Sequence, residues 1–180
     1  MAITRLGGAN AITGTIPQGN IANASLGAVT ALPAGVGGKV LQVVHASDTT
    51  ADNTSSGSFV ASSLSASITP SVTSSKIFIN ISVSSNTQST SSTGGITQGA
   101  IYRQIASGGY SDISSPYILV GIRQNGTMWG ASGAAMQYLD SPNTTSQCDY
   151  KLYYKLYSGT DALLSNNSTK KTITLMEIGA

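Results

Sequence analysis

Residues 76–84 read KIFINISVS, and their spacing decides the fold. In an extended chain Ile77, Ile79, Ile81 and Val83 share one side, while Lys76, Phe78, Asn80, Ser82 and Ser84 share the other. A repeat of two is the period of a pleated strand with one buried face. A helix would scatter the four β-branched residues around its circumference, and branching at Cβ disfavours helix. The stretch is therefore a central core strand, and the rest of the chain must supply what covers it.

Outward from it, further strands follow on both sides. KVLQVVH (39–45) is apolar at Val40, Leu41, Val43 and Val44, and a polar loop follows it. SFVASSLSASITP (58–70) alternates at Leu64, Ala66 and Ile68 and stops at Pro70. Residues 86–95, NTQSTSSTGG, contain no apolar side chain and predict a long loop. QGAIYRQI (98–105) and PYILVGIRQ (116–124) flank a second loop at 106–115. Asn125-Gly126 is a strong two-residue hairpin signal, leading into TMWGASGAAMQYL (127–139), a strand-like run weakened by Gly130 and Gly133. Asp140 to Asn143 is a turn. QCDYKLYYKLY (147–157) places Cys148, Tyr150, Leu152, Tyr154 and Leu156 on one face and Asp149, Lys151, Tyr153, Lys155 and Tyr157 on the other. A loop with Asn166-Asn167 leads to a last strand, KTITLMEI (171–178). About eight strands and no helical stripe predict an all-β antiparallel sandwich, with the strand number of a jelly roll.

Residues 1–38 differ. They carry one charge, Arg5, and many glycines, and Pro17 and Pro33 forbid a continuous helix. Ile3, Leu6, Ile12, Ile16, Ile21, Leu26, Val29 and Leu32 recur without a fixed period. Such a segment cannot bury its own apolar residues. It is expected to be an extended arm that anchors to other chains through those eight residues, with 35–38 as the hinge into a knob at 39–180.

Only 9% of residues are charged, against about 25% in ordinary domains. Ser and Thr make up about a quarter of the chain, which suits strands and turns. Few charges leave few brakes on association through flat faces. The net charge of +2 is spread singly, so no nucleic-acid footprint is expected. No apolar run approaches the length of a membrane helix, and the opening residues lack a secretory h-region.

The chemical inventory is thin. His45 is the one histidine and Cys148 the one cysteine, the first read as structural and the second as a small buried hydrophobe. Asp48 and Asp52 could place oxygens around a calcium ion, but the loop lacks the full ligand spacing and reads as a solvated turn. No nucleophile motif, phosphate loop or dinucleotide fingerprint occurs, and no cofactor or metal is expected. Aromatics near loops remain as contact candidates: Tyr110 with Asp112, and Trp129, the last with core packing as its competing reading.

Several phrases carry a resemblance: GKVLQVVHASDT (38–49), SASITPSVTSSKIFINISV (65–83), YLDSPNTTS (138–146) and TITLMEIGA (172–180). Together with the opening AITRLGGANAITGTIPQGNIANASLG (2–27), they resemble a domain common in tail-fibre and other virion proteins of marine tailed bacteriophages. The resemblance implies a non-enzymatic β-sandwich module located on the virion and trimeric. It implies attachment to other virion proteins through the arm and contact with a host-surface glycan or protein through the knob. A capsid decoration protein is the alternative within the same resemblance, and a carbohydrate-active enzyme is the weaker reading outside it.

Overall fold

The computed structural model describes residues 40–90, 94–122 and 127–179. Among these lie eleven strands: β1 (Val40–Asp48), β2 (Asp52–Thr54), β3 (Val60–Ile68), β4 (Lys76–Ser89), β5 (Gly95–Ile105), β6 (Ser111–Asp112), β7 (Tyr117–Ile122), β8 (Met128–Asp140), β9 (Cys148–Ser158), β10 (Asp161–Leu164) and β11 (Lys171–Ile178). The one helical turn among them is a short 3-10 segment at Asn166–Ser168. The anchor residues named above, Ile3 to Leu32, lie outside the described residues.

The strands form two antiparallel sheets. β4 is the spine of the first. β8 pairs along one of its edges from Ile77 to Ser89. Its other edge is shared, with β11 against residues 76–82 and β10 against residues 85–88. β1 flanks β11, and β2 flanks β10. The second sheet runs β3, β9, β5, with β6 and β7 both on the far edge of β5. Between the sheets, Ile77, Ile79 and Ile81 are wholly buried, and Val83 nearly so. They meet Leu64 and Ile68 of β3, Ile101 of β5, and Tyr150, Leu152 and Tyr154 of β9 in one core. Each such side chain contributes about 1.5–3 kcal/mol by leaving water.

The central strand is longer than its apolar run. The loop expected from residue 86 begins only after Ser89. Ser85, Thr87 and Ser89 continue the inward face of β4 as buried hydroxyls. Thr87 Oγ1 donates to the Asp161 carbonyl at 3.1 Å. With β10 on one edge and β8 on the other, the backbone here is paired on both sides, as a buried backbone must be. The period of two persists in Ser and Thr, where apolarity alone does not reveal it.

β7 and β8, which flank the hairpin signal at Asn125-Gly126, pair with β5 and β4 respectively. Residues 123–126 are outside the described set, but β7 belongs to the second sheet and β8 to the first. Gly130, read as weakening its strand, makes room for β7: a Cβ there would stand 2.1 Å from Ile122 Cγ2, so that side chain would have to move. The loop expected at 106–115 contains the two-residue β6, and the segment before the last strand contains β10.

The β9–β10 turn depends on one backbone geometry. Gly159 has φ +106°, and a Cβ added to it would lie 2.5 Å from the Gln88 carbonyl oxygen. That oxygen already accepts from Thr160 N at 2.8 Å. Gly159→Ala is expected to cost about 2–3 kcal/mol, read by urea unfolding, because both strain and a backbone clash oppose it.

Candidate functional site: buried charge clusters and two outer faces

Three ionic clusters tie strands together. Lys171, wholly buried at the start of β11, is gripped by the carboxylates of Asp48 and Asp52, each 3.0 Å from Nζ. Its ammonium also donates to the Thr50 carbonyl. Ser63 Oγ donates to Asp48, and Ser63 N donates to both oxygens of Asp52 at 3.1 and 3.2 Å. The two acids considered as calcium ligands do converge, but around this chain's own ammonium. The Ser63 hydroxyl first, then the Thr50 amide, hold the Asp48 carboxyl well below the usual carboxylate range.

Glu177, also wholly buried, has four donors and no cation within salt-bridge distance among the described residues. It accepts from Ser71 N at 2.6 Å, Ser71 Oγ at 3.0 Å, Ser75 Oγ at 2.6 Å and Gln42 Nε2 at 2.6 Å. Burial pushes its pKa up, but the Ser75, Gln42 and Ser71 donors together outweigh it and leave it lowered. The third cluster bridges the sheets. Arg103 of β5 reaches both oxygens of Asp140 of β8 at 2.8 Å, and Tyr150 of β9 donates to Asp140 Oδ2 at 2.7 Å. Burial first, then this bond, raises the Tyr150 phenol far above its ordinary value. Cys148 is wholly buried and its thiol is pushed up, chiefly by burial.

The outer face of the second sheet carries an aromatic row. Phe59 and Tyr102 have centroids 6.1 Å apart, Tyr102 and Tyr153 stack at 3.9 Å, and Tyr153 and Tyr110 lie 5.9 Å apart. The shared face of β9 read from the sequence supplies Tyr153 and its lysines. Lys155 Nζ sits 4.8 Å from the Phe59 centroid, and Lys151 Nζ sits 5.6 Å from that of Tyr110. Each inner ring therefore touches a ring on either side, and each terminal ring carries an ammonium. The inner rings are thus packed against their neighbours in the row. Burial raises the Tyr102 and Tyr110 phenols, with Asp112 and Asp149 adding to it respectively. Tyr153→Ala removes contacts to two rings and is expected to cost about 2 kcal/mol, with loss of near-UV dichroism as the specific signal.

Of the contact candidates, Tyr110 and Asp112 come together on this sheet, Asp112 opposite Tyr102 in β6–β5 register. Tyr110 is half-buried against Tyr153, while Asp112 is exposed. Trp129 is elsewhere, on β8 of the first sheet, and is 57% exposed, so it is not a core residue. His45 lies on the outer face of β1, its Nδ1 3.0 Å from Thr174 Oγ1. Sequence reasoning missed Lys171, Glu177, Arg103 and Asp140. Residue type alone does not mark them, because their partners are 37 to 135 positions away, except Tyr150 at 10.

No family model and no curated protein matches this chain. Among solved structures it overlaps that of infectious bursal disease virus Gx strain, at 11% identity and TM-score 0.31, covering 77% of this chain and 38% of that one. It also overlaps the VP2 subviral particle of the same virus at 15% identity and TM-score 0.37, covering 77% and 37%, and the D431N VP2 mutant at 12% and 0.38, covering 78% and 37%. The chain thus spans under two-fifths of those chains, and at these scores the overlap carries no argument about function.

Proposed function

We propose that the chain is a non-enzymatic structural protein of a phage virion, a short fibre- or spike-like homotrimer. In this reading residues 1–38 anchor it to other virion proteins, and the sandwich is presented to the host surface. One observation carries the structural part of it. The buried charged side chains Lys171, Glu177 and Asp140 are each engaged by partners on neighbouring strands or loops, so the interior polar chemistry goes into holding the body rigid. Low charge, the resemblance of the sequence phrases and the exposed Asp112 beside Tyr110 support the rest.

Labelled antibody on purified particles, with a competition assay, tests the proposal. Binding at the tail or a vertex, and slower particle adsorption when free protein is added to host cells, are expected. A regular lattice of label on the head makes it a capsid decoration protein instead. Absence from purified particles overturns the virion reading altogether.

A further inference from the structure

One row of apolar side chains crosses the outer face of the first sheet. Val43 of β1 lies opposite Met176 of β11, Met176 opposite Phe78 of β4, and Phe78 opposite Leu139 of β8. Each alternates with more deeply buried neighbours on its own strand, so all four point away from the core. Val43 is 56% and Leu139 50% exposed, and Val40 and Leu41 extend the patch with 50% and 48%. The next two rows hold no carboxylate or ammonium: His45, Thr174, Asn80 and Gln137, then Ser47, Thr172, Ser82 and Ala135. β4 and β8 continue with Ser84 opposite Gly133, Asn86 opposite Ala131, and Gln88 opposite Trp129. Among the described residues of this face, charge appears only at the ends, as Lys76 and as Asp161 on β10.

We infer that this face is where copies of the chain meet one another. It deepens the reading above, resting on it only in that the chain assembles. Two arguments select a second copy as the occupant. The first is charge. Residues close to a symmetry axis meet their own copies, so charge at the centre of such a contact repels and costs several kcal/mol. Three successive rows across four strands hold no ammonium or carboxylate, while the outer face of the other sheet carries Lys151, Lys155, Asp112 and Asp149. The second is size. Four strands at about 4.8 Å, over about eight residues, give a footprint of roughly 500 Å² before the extension toward Trp129. That is about six-tenths of the roughly 800 Å² each partner contributes to a standard interface, with the apolar row at one end of it and the extension along β4 and β8 adding to it.

The test uses the full chain and measures its mass against concentration by light scattering. The wild type is expected to be oligomeric at micromolar concentration. Phe78→Lys and, separately, Leu139→Lys are expected to raise the apparent dissociation constant at least about tenfold. Far-UV dichroism should be unchanged, and Ser65→Lys on the other outer face should leave the mass alone. Val43→Lys, on the exposed edge of the patch, gives the same reading if Phe78→Lys does not fold. A monomeric wild type at about 100 µM overturns the inference, since a standard interface binds more tightly than that. An oligomer untouched by these lysines but lost on removing residues 1–38 also overturns it. That last result places assembly in the arm and leaves the virion reading standing.

Discussion

Replacing Lys171 by methionine is expected to lower the stability of the sandwich by about 3 kcal/mol, the largest loss foreseen for any single side chain here. The ammonium is wholly buried and sits between two carboxylates from the end of β1 and from β2. Removing it leaves Asp48 and Asp52 facing each other with only Ser63 and Thr50 as donors. Like charges without a counter-ion are then held together by the fold. Lys171→Arg, which keeps the charge but not the compact geometry, should recover only part of the loss. Urea unfolding at pH 7 provides the measurement, and an unchanged midpoint would contradict the cluster. The same cluster sets a pH dependence. Asp48 titrates well below its unfolded value, so its contribution is full above the ordinary carboxylate pKa, near 4, and is lost as the pH falls below it. Acid should therefore bring the wild type towards the Lys171→Met variant.

Glu177→Ala is expected to cost almost as much, about 2–3 kcal/mol. Four donors converge on this carboxylate, from Gln42 on β1 and from Ser71 and Ser75 in the loop before β4. Without it the buried Ser75 hydroxyl and the Ser71 amide lose their acceptor. Glu177→Gln should be little better, because an amide points two donors into a ring of donors. Increased proteolysis within residues 69–75 would mark the site of the damage. The carboxyl is held below its ordinary pKa by those donors against burial, so this contribution too is present above about pH 4.3 and fades in acid.

How much of this was legible in the sequence follows from what each residue answers to. The core faces of β4 and β9 were readable because one periodicity is enforced by one boundary with water: Ile77 to Val83, and Cys148 to Leu156, are buried as their alternation implies. The hydroxyl continuation of β4 was hidden because Ser and Thr serve buried strands and exposed loops alike. The sheet change between β7 and β8 was not legible at Asn125-Gly126, because a two-residue signal says nothing about which sheet the next strand joins. Lys171 opens β11 on its buried parity, while Lys170 just before the strand is exposed, and residue type does not tell the two apart. Trp129 is exposed because its neighbours Gly130, Ala131 and Gly133 provide nothing large to cover it. The candidate surfaces were the least legible, since a row such as Val43, Met176, Phe78 and Leu139 is assembled from four separate strands.

The most direct test of the central claim, a rigid sandwich carried on a particle and meeting its own copies through the Phe78 face, is a cryo-electron-microscopy map of the purified virion. The account predicts density for this chain with Phe78 and Leu139 of neighbouring copies packed against one another and the aromatic row of the other sheet facing outward. A map in which the Phe78 face is bathed in solvent, or in which this sandwich is nowhere on the particle, would contradict it.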